Sequence, residues 1–112
     1  MERGEIWWAS MGEPVGSSPG YRRPVVVAST NDFNNSLIQT VIVVVVTSNL
    51  KLAEAPGNFK IVKSKSGLNR DSVVNISQII TLDKMFLTER IGQLGGKQIN
   101  KLNDGLRLVL GV

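Results

Sequence analysis

The chain has 112 residues, a mass of 12.2 kDa and neither cysteine nor histidine. That length accommodates one domain, read as residues 1–112, around one hydrophobic core, and the missing residue types exclude disulfides, thiol nucleophiles, thiolate zinc sites and imidazole bases. Its chemistry must rest on Arg, Lys, carboxylates, hydroxyls, backbone amides or a borrowed ion, and a net charge of +4 with a pI of about 9.8 tilts it toward an anionic partner.

Glu5 to Ala9 (EIWWA) is aromatic and β-prone. Met1 to Gly4 before it is no apolar leader, so a cytoplasmic protein is expected. Met11 to Tyr21 carries three glycines and two prolines and reads as a long loop. A second strand starts near Pro24, since proline is tolerated at a strand start or on an edge. After the polar Ser29 to Ser36 segment, Leu37 to Thr47 (LIQTVIVVVVT) is a run of β-branched residues that resists helix and needs burial on both faces, a central strand. Val41 to Val46 is far shorter than the roughly 20 residues a membrane-spanning helix needs. Phe59 to Val62 and Asp71 to Leu82 predict two more strands, with a turn at Gly67 to Arg70. From Gly96 onward, Ile99, Leu102, Leu106, Val109 and Leu110 recur at helical spacing, although Gly105 within the run costs about 1 kcal/mol relative to Ala. Five or so strands and a terminal helix predict a mainly β domain, a small barrel or strongly bent antiparallel sheet with a C-terminal α-helix.

Charge is unevenly placed: residues 1–50 hold three cations and four anions, residues 51–112 ten and five. Against that background, Gly16 to Pro24 (GSSPGYRRP) stands out, a small-residue loop ending in adjacent arginines at the mouth of a buried strand. Solvated arginines on a hairpin loop are the plain alternative. Arg22 and Arg23 should point oppositely, and Arg23, directed by Pro24, is the better candidate for bidentate phosphate binding. Thr47-Ser48-Asn49 places three hydrogen-bonding side chains at the exit of the valine strand, where they either line a site or simply cap a turn. Of Trp7 and Trp8, one should be core and one outward, the latter suited to base stacking or to a partner interface.

Arg3 to Ala9 (RGEIWWA), Gly16 to Val27 (GSSPGYRRPVVV), Asn31 to Asn34 (NDFN), Thr47 to Asn49 (TSN) and Asp71 to Lys84 (DSVVNISQIITLDK) together resemble the MazF/PemK family of toxin endoribonucleases. Arg90 to Leu94 and Ile99 to Leu110 resemble that family's last strand and helix. The resemblance implies an SH3-like barrel of the MazF/CcdB type, a homodimer, and metal-independent, cofactor-free cleavage of single-stranded RNA at short motifs. It also implies a cognate antitoxin whose acidic disordered segment blocks the RNA groove, with DNA reached only through that antitoxin and no membrane involved. Carried onto this chain, the catalytic pair is Arg23 and Thr47, and substrate contacts fall to Gly16, Ser17, Ser18, Tyr21, Arg22, Ser48, Asn49 and Gln78. Ser18 departs from the GSEPG-like loop of many relatives, which predicts an altered substrate preference. Gly95-Gly96 lacks the polar N-cap often found before the last helix.

In metal-independent cleavage the ribose 2′-OH attacks phosphorus. Arg23 is suited to stabilise charge on the phosphorane; a permanently charged guanidinium is a poor proton donor or base. Thr47 is suited to bind a nonbridging oxygen or orient the 2′-OH. Two other classes stay open: a CcdB-like toxin that binds gyrase without catalysis, and a regulatory module that binds RNA or DNA without cutting it.

Overall fold

The computed structural model describes residues 1–12, 16 and 21–112. Within them lie six strands, β1 (Glu5–Ser10), β2 (Arg22–Val27), β3 (Thr40–Thr47), β4 (Phe59–Ile61), β5 (Ser72–Asp83) and β6 (Leu87–Gln93). Three helices accompany them, α1 (Asn31–Asn34), α2 (Lys63–Ser66) and α3 (Gly96–Leu110). The strands form one antiparallel sheet ordered β4-β5-β3-β2-β1-β6.

Strand alternation sorts the valines to two faces. Ile6, Val26, Val44, Val46, Val74 and Ile76 pack on one side with Leu102 of α3. Ala9, Val25, Val27, Val41 and Val43 form a second cluster on the other side, with Leu87 and the partly buried Trp7 and Ile80. Successive apolar residues in β3 are thus explained, because both faces of this central strand are covered.

Bulges bend the sheet toward a small barrel. In the β3–β5 ladder Val44 faces Ile79 but Val45 faces Asn75, so Ile76, Ser77 and Gln78 bulge from β5. The β1–β6 ladder shifts register twice, at Ile6/Trp7 and Trp8/Ala9. Between edge strands β4 and β6 sits α2, which ends at Gly67 with φ +84°. Backbones meet so closely there that a Cβ on Gly92 would overlap the Ser66 carbonyl oxygen. Gly92→Ala is therefore expected to cost about 1–3 kcal/mol by overpacking. Gly96→Ala, with nothing within 4 Å of its Cβ position, should be neutral or slightly stabilising. Thermal melting of the two variants side by side checks the contrast.

The helix predicted from Gly96 is α3, and its internal glycine has a tertiary reason. A Cβ at Gly105 would lie 2.5 Å from the Gly57 carbonyl oxygen and 3.0 Å from Ile76 Cγ1, so close approach to the turn before β4 outweighs helix propensity. In place of a polar N-cap, Gln98 Oε1 accepts a hydrogen bond from Gly95 N at 3.1 Å, half of a capping box.

Three elements differ from the expectation. The central strand starts at Thr40, not Leu37. The polar segment holds α1, capped where Thr30 Oγ1 accepts from Phe33 N at 3.3 Å. A sixth strand, β6, escaped the residue pattern because only Leu87 along it is fully buried, so the apolar alternation that marks a strand is nearly absent.

Candidate nucleic-acid interface

The β2–β3 register pairs Val25 with Val45, Val26 with Val44 and Val27 with Val43. The ladder ends at Val25–Val45, and Arg23 and Thr47 each lie two residues beyond that pair, at the ends of the adjacent strands β2 and β3. The two residues singled out from distant parts of the sequence thus lie at the ends of strands that are adjacent in the sheet.

Arg22 and Arg23 both line one cavity but differ in their partners. The Arg22 guanidinium lies over the Trp8 ring, 4.2 Å from its centroid, and Nη2 is 3.1 Å from Glu89 Oε2. Arg3 is engaged as well, its Nε donating to Ala28 O at 2.8 Å. Arg23 is exposed and, among the described residues, has neither a hydrogen bond nor an ion pair. Of the three cations in the first half of the chain, it is the one left available to an external anion.

Thr47 Oγ1 accepts from Asn49 N at 3.2 Å. One lone pair is thereby engaged and the hydroxyl hydrogen is left to donate. Asn49 Oδ1 accepts from Lys51 N at 3.2 Å and caps the 3₁₀ turn Leu50–Glu54, so at Asn49 the turn-capping reading has direct structural support. Ser48 is exposed and lines a cavity of about 270 Å³ with Trp8, Arg22, Arg23, Asn69 and Arg70. Arg70 and Asn69 were missed by the sequence reading, which took Gly67 to Arg70 only as a turn; the surplus of cations after residue 50 was the available signal.

Tyr21 closes the base of the long loop. It adopts φ +57°, rare for a residue with a side chain, is 67% exposed, and its carbonyl accepts from Met11 N at 2.7 Å. Gly16 likewise has positive φ, +59°. Ser17 and Ser18 lie outside the described residues.

Gln78 sits half-buried in the β5 bulge, its Oε1 accepting from Asn75 Nδ2 at 3.1 Å. Asn75 faces Val45 across the β3–β5 ladder and so shares that residue's sheet face. Among the described residues no three acidic side chains converge to hold a metal ion, and no helix is long and apolar enough to cross a membrane.

A family model described as PemK-like, MazF-like toxin of type II toxin-antitoxin system matches residues 2–110. Endoribonuclease MazF6 of Mycobacterium tuberculosis is 44% identical over 98% of this chain and 96% of its own length. Endoribonuclease EndoA of Bacillus subtilis is 34% identical over 98% and 94%. In structure, an endoribonuclease in complex with its cognate antitoxin from a Mycobacterial species matches with a TM-score of 0.80 at 23% identity, covering 100% of this chain and 96% of that one. MazF of Deinococcus radiodurans matches with a TM-score of 0.81 at 21% identity, over 100% and 97%. Structural likeness at such low identities shows the fold alone, a mainly β, six-stranded sheet curled into a half-barrel with a C-terminal helix, while the family rests on the sequence matches. Spanned almost end to end by the family model and 44% identical to a relative along nearly its whole length, the chain belongs to the PemK-like, MazF-like toxins of type II toxin-antitoxin systems.

Proposed function

We propose that the chain is a metal-independent, sequence-specific endoribonuclease acting on single-stranded RNA, with Arg23 and Thr47 at the reacting phosphate. The observation that supports this is their placement at the ends of adjacent strands: a guanidinium with no partner among the described residues, and a hydroxyl whose oxygen accepts from Asn49 N and whose hydrogen is free. In the step proposed, the ribose 2′-oxygen forms a bond to phosphorus as its proton leaves, the P–O5′ bond breaks, and the 5′-oxygen takes up a proton. Arg23 stabilises charge on the equatorial oxygens, and Thr47 donates to one of them.

The names of the relatives support this activity, and the relative solved with its cognate antitoxin supports an antitoxin partner here. The ten cations after residue 50 suit an acidic segment that folds on binding. A homodimer and a cytoplasmic setting complete the proposal; the exposed apolar side chains of Leu37, Ile38, Met85 and Phe86 suit self-association.

Purified protein in EDTA, given a long unstructured RNA and an all-deoxy strand of the same sequence, tests the reaction. Discrete cuts in the RNA alone are expected, because the nucleophile is the 2′-OH. Cutting of the deoxy strand would rule out the mechanism, and RNA binding without cutting would favour the non-catalytic readings. Arg22→Ala should lower the rate less than about tenfold, since its guanidinium is engaged by Trp8 and by an exposed ion pair of small energetic weight. Initial rates on one oligonucleotide measure this.

A further inference from the structure

Four side-chain amides and hydroxyls around the β5 bulge form a chain whose hydrogen-bond polarity is dictated by the backbone. Ile76 N can only donate, so the Asn58 atom 2.8 Å from it is Oδ1. Leu52 O can only accept, so the Asn58 atom 2.9 Å from it is Nδ2. Both ends agree on one orientation of Asn58. Its Nδ2 then donates to Asn75 Oδ1 at 3.2 Å, which also accepts from Ser77 Oγ at 2.8 Å. Asn75 is left with Nδ2 as its remaining group, and this donates to Gln78 Oε1 at 3.1 Å. The Gln78 carbonyl is thereby turned inward, while its Nε2, with two N–H groups, has no partner among the described residues. Asn75 is 7% exposed and Gln78 half-buried, so the relay runs from the interior toward the surface.

We infer that Asn58 and Asn75 are positioning residues that fix Gln78 as a donor, so that at the C4 or C6 substituent of an RNA base it selects a keto oxygen, uracil O4 or guanine O6, over an amine, cytosine N4 or adenine N6. This rests on the ribonuclease reading above and deepens it. A glutamine free to turn reads adenine by accepting from N6 and donating to N7. Here the accepting half is engaged by Asn75, and an amine of adenine or cytosine would meet N–H against N–H. A preference of about tenfold at one nucleotide position follows.

Two near-isosteric substitutions test the assignment by mapping cut sites on a long unstructured RNA in EDTA. Asn75→Asp removes the N–H groups that face Gln78, so the Gln78 amide turns and presents Oε1. Gln78→Glu places an acceptor at the surface end of the relay without touching the buried amides, and so tests the assignment even if Asn75→Asp does not fold. Both are expected to shift the preference at the same single position from keto bases to adenine or cytosine by about tenfold, with other positions unchanged. A motif unchanged in Gln78→Glu would overturn the inference, as would a folded Asn75→Asp protein that keeps the wild-type motif while Gln78→Glu alters it. Wild-type protein that cuts no RNA at all would remove the ribonuclease reading and this inference with it, an outcome distinguishable from the others because no motif then exists to shift.

Discussion

Arg23→Ala is expected to reduce RNA cleavage by a factor of about 10² to 10³, the usual consequence of removing one preorganised donor from developing charge. The size follows from the setting. Arg23 ends β2 beside the strand that ends at Thr47 and engages no protein group among the described residues, so folding does not consume its hydrogen-bonding capacity. For the same reason the substitution should leave the melting temperature nearly unchanged, and loss of activity would report on chemistry. Arg23→Lys should recover only part of the rate, since an ammonium keeps the charge but not the planar pair of donors. Thr47→Val, which keeps shape and removes the hydroxyl, should slow cleavage; Thr47→Ser should restore most of it. Single-turnover rates on one oligonucleotide, with circular dichroism beside them, measure all four. Full activity in Arg23→Ala would move the cationic role to Arg22 or Arg70, which line the adjoining cavity.

Glu5→Ala is expected to be the most destabilising of these changes, by about 3 kcal/mol. Glu5 is 8% exposed. Its Oε1 accepts from Glu2 N at 2.6 Å and from Trp7 Nε1 at 3.2 Å, and its Oε2 takes Arg90 Nε at 2.6 Å. These bonds tie β1 to β6 and hold Trp7 against the second apolar cluster. Removing the carboxylate leaves three donors without their acceptor, and each hydrogen bond to a charged group is worth about 1.5–3 kcal/mol before solvent reaches the half-exposed Arg90.

Burial alone would raise the Glu5 pKa, but the bonds from Glu2 N, Arg90 and Trp7 outweigh it and hold the carboxyl below its usual value. A depressed folded pKa means the unfolded chain takes up the proton first as pH falls. Glu5 therefore contributes its full stabilisation above the ordinary glutamate pKa and loses it between that value and the lower folded one. Wild-type protein should show a fall in melting temperature on acidification through that window, and Glu5→Gln should show a smaller one. Equal acid sensitivity in the two proteins would contradict this role.

Local residue chemistry was enough to make much of the protein legible. The β-branched run before Thr47 pointed to a strand buried on two faces and the spacing after Gly96 to a helix, whose Leu102 is buried while Val109 and Leu110 of the predicted face are exposed. Absence of His and Cys confined the candidate chemistry to groups such as Arg23 and Thr47. Elements with little apolar burial were not legible from local pattern: β6, reached only through the family resemblance at Arg90 to Leu94, carries one buried side chain, and α1 and α2 are single turns.

Site residues divide along the same line. Arg23 and Thr47 are conspicuous by type and position in the sequence, since each ends an apolar strand. Asn58, Asn75 and Arg70 are ordinary polar residues whose roles come from partners far away in the chain. The length, charge balance and strand-forming runs were sequence properties, because propensity and periodicity act over a few residues. Only the tertiary structure decided which arginine stays unengaged and which way the Gln78 amide faces. Those outcomes depend on ladder register and on hydrogen bonds between strands and loops, which no local pattern encodes.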